Sequence, residues 1–380
     1  MVVYFVMALA LFADDDYEEV MTRLWESLDG WDCWDPDWTV PTTGGITQAR
    51  ARLGSEPLQR VFEQVAVPVA DELTRGAWLG PWRLMAIDGF DWDLPDTPEN
   101  AGEFGYPGSR GETRSAFPKA RVVTISECAS HAVVAASIGR ASGSEQKLAR
   151  QLYPNLEPDW LLIADRNFYG YADWNAARAS GAALLWRVSS SVGLPVLHTH
   201  PDGSYTSVLI NRNVTWPPAR AKLLQTAREG GQLDPDQAIL VRVVEYTVPN
   251  RPTSGPSSGQ SRPSRRATPA GESITLITTI LDPAHASAAA LAQAYHQRWE
   301  HETGNDQLKT HLRGPGRVLR SKKPDTVRQE IYGYLLTHHA ISTLICHAAT
   351  EADIDPDRVK FLRTVRILRR QVTDPAAFSP

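Results

Sequence analysis

In residues 295–312, YHQRWEHETGNDQLKTHL, four side chains with chemical potential stand at offsets 0, 3, 7 and 14: Tyr295, Arg298, Glu302 and Lys309. On a helix of about 3.6 residues per turn these offsets return to nearly the same angular position, so the spacing predicts one stripe on one helix. A carboxylate is a hard oxygen ligand for a divalent cation. A guanidinium fork and an ammonium grip phosphate oxygens, and a phenol donates a hydrogen bond. Together the four suit an anionic ligand held beside a metal ion. The competing reading is a surface ion pair between Arg298 and Glu302 at i and i+4, worth only a few tenths of a kcal/mol, which leaves Tyr295 and Lys309 unexplained.

Two more carboxylates carry similar promise. Asp88 in LMAIDGF and Asp165 in LLIADRNFYG each close a predicted apolar strand, the end at which α/β sheets present functional groups. Taken singly, either fits a turn or a helix cap equally well. Three carboxylates together would hold two hard divalent cations, with water and substrate phosphate completing the shells, which suits phosphodiester cleavage and transfer. Other candidates are weaker. His198 and His200 in LHTHPDG have an i, i+2 spacing but no third ligand, and read as a turn. The adjacent His338 and His339 cannot share a helical face. Trp216 and Trp299 could stack on an extruded base, although indoles more often pack.

The elements that must position these groups follow from composition and periodicity. With 380 residues, 42% of them hydrophobic, the chain can bury a full core in two or three domains and is not a disordered sequence. Three scattered cysteines, Cys33, Cys128 and Cys346, give no disulfide framework and no paired metal motif. The apolar opening MVVYFVMALALF is too short to span a bilayer and reads as a buried helix. The net charge of −5 is unevenly sorted: residues 1–80 hold 14 acids and 5 bases, while 309–323 hold six bases (Lys309, Arg313, Arg317, Arg320, Lys322, Lys323) and no acid. That run places a cationic patch directly after the stripe.

Helical periodicity dominates residues 1–80, where TTGGITQARARLGSEPLQRVF could be a structural helix pair or a helix-turn-helix. Residues 81–190 read as three adjacent strands followed by alternating helix and strand, a mixed α/β pattern. Residues 191–281 read as a β-rich insertion, with a Pro-, Ser-, Gly- and Arg-rich disordered loop near 249–271. Residues 282–325 carry the glutamate helix, and 326–380 a helical tail that includes the basic DRVKFLRTVRILRRQ.

AIDGFDWDLPDTPENAGEFG, LLIADRNFYGYADW and YHQRWEHETGNDQLK together resemble the blocks of insertion element 4 family transposases, and the third is similar to that family's Tyr-x2-Arg-x3-Glu-x6-Lys signature at every position. The resemblance implies a ribonuclease H-like core in which Asp88, Asp165 and Glu302 bind metal and catalyse. It also implies that a β-rich insertion accounts for the long interval of 136 residues between Asp165 and Glu302. The cofactor implied is Mg2+, two ions, with Mn2+ able to substitute. DNA contacts fall to Tyr295, Arg298 and Lys309, with Arg313 and Arg317 continuing the track. The partners implied are double-stranded DNA, as element terminal inverted repeats and target, and a second copy of the chain in the DNA complex. No membrane is implied, and the setting is the bacterial cytoplasm at the nucleoid. The reaction implied is hydrolysis that frees a 3′-OH, then strand transfer, with a hairpin intermediate in characterised relatives. A decayed or domesticated DNA-binding protein and a nuclease of the same core fold remain open.

Overall fold

The computed structural model describes residues 1–29, 38–108, 115–248, 271–314 and 316–372, and the side chains of residues 28–29 and 299–302 stand outside that description. Cys33, Trp299 as a stacking candidate, and the loop expected near 249–271 apart from Gly271 therefore lie outside the described residues. Contacts divide the chain into two units: residues 1–78, 83–155 and 297–380 form the first, and residues 79–82 and 156–296 the second.

The chain opens with helices α1 (Val2–Leu11), α2 (Tyr17–Asp29), α3 (Thr43–Leu53) and α4 (Glu56–Val65), followed by the short strand β1 (Trp78–Leu79). Strand β2 (Trp82–Asp93), helix α5 (Pro98–Phe104), strands β3 (Lys119–Glu127) and β4 (Val133–Arg140) and helix α6 (Glu145–Leu152) come next. The second unit contributes β5 (Trp160–Ala164), α7 (Tyr171–Arg178), β6 (Ala183–Val188), β7 (His198–Thr199), β8 (Tyr205–Ile210), α8 (Pro217–Arg228), β9 (Ala238–Val248), β10 (Glu272–Thr278) and α9 (Ala288–His296). The chain then returns to the first unit with α10 (Arg298–Asp306), a π-helical turn (Gln307–Leu312), α11 (Pro324–Glu351) and α12 (Phe361–Gln371). The class is the mixed α/β one that the sequence pattern predicts.

In the first unit β3 lies antiparallel between β2 and β4. β2 is longer than its apolar run suggests, so Asp88 sits in the strand interior opposite Thr124 and not at its end. Beyond Asp88 the strand is held across the ladder, where Asp91 and Asp93 pair with Arg121 and Lys119 on β3. Asp165 does follow the last residue of β5.

In the second unit β5 and β6 are parallel and joined through α7, as a crossover requires, and β10, β9, β8 and β7 add antiparallel strands in that order beyond β6. The strands between 191 and 281 thus continue from β6 through its pairing with β10. That region also holds a helix, α8, which Pro217 and Pro218 can start without losing an intrahelical donor. Its Leu223, Leu224 and Ala227 cover Val208 of β8.

Helix α11 threads the first unit's core and is buried along most of its length. The apolar start of the chain packs on it as α1, burying Phe5, Val6, Leu9 and Ala10. Gly333 is required there, because a Cβ at that position would lie 2.7 Å from the Val6 carbonyl oxygen. No helix among the described residues is long and apolar enough to cross a membrane. α3 and α4 form a helix pair whose Arg50, only 2% exposed, turns inward. Its guanidinium donates to Gln329 Oε1 (2.8 Å), Tyr17 Oη (2.5 Å) and Ser321 Oγ (3.0 Å), tying α3 to α11. Arg50→Ala should therefore lower the free energy of unfolding by about 3 kcal/mol, as loss of several charge-assisted bonds to buried partners does. Urea denaturation checks this, and an unchanged midpoint would rule out the structural role.

Candidate active site

The stretch 295–312 is not the single helix that its spacing predicts. α9 ends at His296, Gln297 forms a turn, α10 runs to Asp306, and winding then widens into the π-helical turn. The break coincides with the boundary between units, so Tyr295 and Asp165 belong to the second, and Asp88, Arg298, Glu302 and Lys309 to the first.

Within the first unit a ladder joins β2 to this helix. Strand alternation puts Asp88, Phe90 and Trp92 on one face. Asn305 Nδ2 lies 3.4 Å from Asp88 Oδ2, Lys309 Nζ 5.8 Å from the Phe90 ring centre, and the Arg313 guanidinium carbon 5.8 Å from the Trp92 ring centre. Four-residue steps overshoot a full α-helical turn by about 40° each. The wider π turn, in which the Arg313 amide donates to the Leu308 carbonyl at 3.3 Å, takes that overshoot back and keeps the ladder in register. Position 302 stands three residues before Asn305 on the same helical face.

The basic run does not form one solvent-facing track. Arg313 is 7% exposed, and burial pulls its pKa below the ordinary value against the charges of Tyr334, Asp93 and Glu330. Arg317 pairs with Asp14 and donates to the Ala13 carbonyl (3.1 Å), while Arg320 donates to the carbonyls of Phe12 (3.0 Å) and Asp15 (2.7 Å). These arginines tie the basic run to the segment that follows α1. Of the six bases, Lys322, Lys323 and the ion-paired Arg317 are exposed, and Lys309 and Arg320 are partly so. Arg298, at 8% exposure, is buried.

In the second unit Tyr295, 3% exposed, donates a long hydrogen bond of 3.5 Å to Asp165 Oδ1. Two neighbours escape the sequence reading. Arg187 on β6 is paired with Glu272; burial alone would lower its pKa, but Glu272, then Tyr295 and Asp165, raise it on balance. Burial, together with the charge of Tyr295, pushes the Tyr246 hydroxyl up to about 12. The one sequence signal for Arg187 was a cation inside the apolar strand ALLWRV. His200 Nε2 meets Thr206 Oγ1 at 2.9 Å within a hairpin, consistent with the turn reading, and His338 and His339 are buried in α11. Trp216 is exposed.

Residues 1–63 match the family described as insertion element 4 transposase N-terminal, and residues 81–338 match the transposase DDE domain. The chain belongs to the insertion element 4 family of DDE transposases. It is 27% identical over 341 residues to the transposase InsG for insertion sequence element IS4 of Escherichia coli (strain K12), covering 90% of this chain and 68% of that one. It also aligns with a cryo-EM structure of a piggyBac transposase synaptic complex with hairpin DNA, over 98% of this chain and 80% of the other, at a TM-score of 0.44 and 10% identity. A likeness that distant carries no argument. The transposase DDE domain implies dependence on a divalent cation. Asp165 suits one: its half-buried carboxylate has a single long hydrogen bond among the described residues, leaving acceptor capacity for a hard ion.

The transposase positions Tyr295 through the start of α9. Ser287 Oγ caps the helix by accepting from the Ala290 amide (3.2 Å), and Asp202 Oδ2 accepts from the Ala288 amide (2.7 Å). Asp202 is held in turn by Arg242, which is fully buried and donates to it at 2.6 Å, to Ser204 Oγ at 2.8 Å and to the Ala286 carbonyl at 2.6 Å. Burial would raise the Asp202 pKa, but Ser204, the Ala288 amide and Arg242 outweigh it and draw the carboxyl down to about 2. Removing it leaves a buried guanidinium without its anion, so Asp202→Ala should destabilise the fold by about 2 kcal/mol at pH 7. The folded pKa lies below the unfolded value of about 3.9, so this contribution is complete above that value and is lost as pH falls towards 2. Denaturation curves of the two proteins should therefore converge as pH falls from about 4 towards 2. A gap independent of pH would refute the assignment.

Proposed function

We propose that this transposase cuts DNA at the ends of an insertion sequence by divalent-metal-dependent hydrolysis, frees a 3′-OH, and joins it to target DNA, with a hairpin as the intermediate on the excised end. Asp88, Asp165 and Glu302 are the proposed ligands of Mg2+, as two ions, with Mn2+ able to substitute. Bound at these carboxylates, such ions polarise phosphoryl oxygens and lower the pKa of attacking water. The observation that carries the reading is the contact of Asn305 with Asp88. It turns one face of α10 towards the β2 aspartate, and position 302 shares that face.

Tyr295, Arg298 and Lys309 are the proposed contacts to the DNA backbone. Lys309 offers a point charge on the same β2 face as Asp88, and Arg298 a planar fork. Tyr295 has one hydroxyl proton, which it gives to Asp165 in this structure and can turn to a phosphate when DNA is present. Arg313 and Arg317 contribute by fixing the helix and the segment after α1, where the structure has them engaged. Joining two element ends implies a dimer in the DNA complex, acting at the nucleoid in the cytoplasm.

The test is cleavage and joining of an element-end duplex with Mg2+. Asp165→Ala and Glu302→Gln should each reduce cleavage by about 10³-fold, the scale on which transition-state charge stabilisation is lost, while leaving DNA affinity within a few-fold. Lys309→Ala should weaken DNA binding and slow joining before it abolishes cleavage. Binding without any cleavage by the unaltered chain would indicate a non-catalytic DNA-binding protein, and nicking without joined product a nuclease.

A further inference from the structure

Helix α12 and the residues beside it carry Arg358, Lys360, Arg363, Arg366, Arg369 and Arg370, and no acid occurs from 358 through 373. The helix is two-faced. Phe361 and Val365 are buried, whereas Arg363, Arg366 and Arg370 are exposed, as is Lys360 just before it. Steps of three and four residues put these cations on one stripe. Arg369 points the other way, donating through Nε to the Leu11 carbonyl at 2.5 Å and so anchoring the helix to the end of α1. A groove of about 740 Å3 runs along the outward side, lined by Lys360, Leu362, Arg363, Arg366, Arg369 and Arg370.

Other arginines of the first unit have found anions: Arg23 pairs with Asp15 and Glu19, Arg121 with Asp91, Arg317 with Asp14, and Arg328 with Glu103. Among the described residues no carboxylate pairs with Arg363, Arg366 or Arg370, and the one hydrogen bond in the stripe runs from Arg370 Nε to the Arg366 carbonyl at 3.2 Å. Like charges three and four residues apart destabilise a helix by a few tenths of a kcal/mol per pair. In a chain of net charge −5, such uncompensated repulsion concentrated on one helix face matches an external polyanion. The ten-residue step from Lys360 to Arg370 rises about 15 Å, and each DNA strand presents a phosphate about every 3.4 Å along the axis.

We propose that the α12 stripe of Lys360, Arg363, Arg366 and Arg370 is a second, sequence-independent contact surface for the duplex DNA backbone, separate from the carboxylate site. The inference rests on the transposase reading, which supplies DNA as the polyanion. Its test is the salt dependence of binding by the full chain to an element-end duplex and to a random duplex, compared with a variant carrying Arg363→Ser, Arg366→Ser and Arg370→Ser. Each phosphate contact contributes about 0.9 to the slope of log K against log salt, so the slope should fall by about 2 to 3. Affinity should drop by a similar factor for both duplexes. A variant with lysine at all three positions should keep the slope, which separates charge from folding. Identical slopes for the unaltered chain and the serine variant would overturn the surface alone. Failure of the unaltered chain to bind any duplex would overturn the transposase activity as well. Tighter binding to phosphatidylserine vesicles than to duplex, lost in the serine variant without a change in DNA binding, would overturn it in favour of a lipid surface.

Discussion

The first unit depends on one registration, in which Asp88, Phe90 and Trp92 on β2 meet Asn305, Lys309 and Arg313 on the helical stretch that follows position 302. Residues two apart on a strand advance about 6.6 Å and residues four apart on a helix about 6 Å, so such a ladder can stay matched in height. It would drift in angle without the wider turn at Gln307–Leu312. The π winding is therefore part of how this chain keeps position 302 on the β2 side. Gln307, the first residue of that turn, strengthens the register: its amide lies 2.8 Å from His131 Nδ1 and its carbonyl oxygen 3.1 Å from His338 Nε2, in the buried interior of the unit.

The second unit solves its own positioning problem by electrostatics. Arg242, buried without water access, is tolerable because Asp202, Ser204 and a carbonyl meet its donors. The same Asp202 accepts from the first amide of α9, so the buried pair also fixes the helix that delivers Tyr295 to Asp165. Positive charge is allotted in a comparable way in the first unit. Arginines that read as a continuous phosphate track instead hold the carbonyls and acids after α1, and the outward cationic stripe lies on α12.

Asp88, Asp165 and Glu302 stand out as candidates because a fixed Tyr, Arg, Glu, Lys spacing and two aspartates beside apolar runs can be seen in sequence without knowledge of the fold. The mixed α/β class was legible from periodicity for the same reason. The interior placement of Asp88 was not, since the partners that carry β2 on beyond it, Arg121 with Asp91 and Lys119 with Asp93, come from the next strand. Nor was the break at Gln297, because α-helical spacing continues through it and only the partition of contacts between units reveals it. Arg313 shows the general limit: a base in a basic run looks solvated, and its burial against Trp92 is a tertiary fact. Arg187 is the converse, a charge that acts on Tyr295 and Asp165 but is concealed as an odd residue in an apolar strand.

The proposal that Asp88, Asp165 and Glu302 serve one divalent-ion site can be tested directly. Loading the full chain, bound to an element-end duplex, with Fe2+ and generating hydroxyl radicals from ascorbate and peroxide maps the backbone near the bound ion by scission. The account predicts cuts clustered around positions 88, 165 and 302 together, all suppressed by excess Mg2+. Cuts confined to residues of one unit, or cuts that Mg2+ does not suppress, would contradict it.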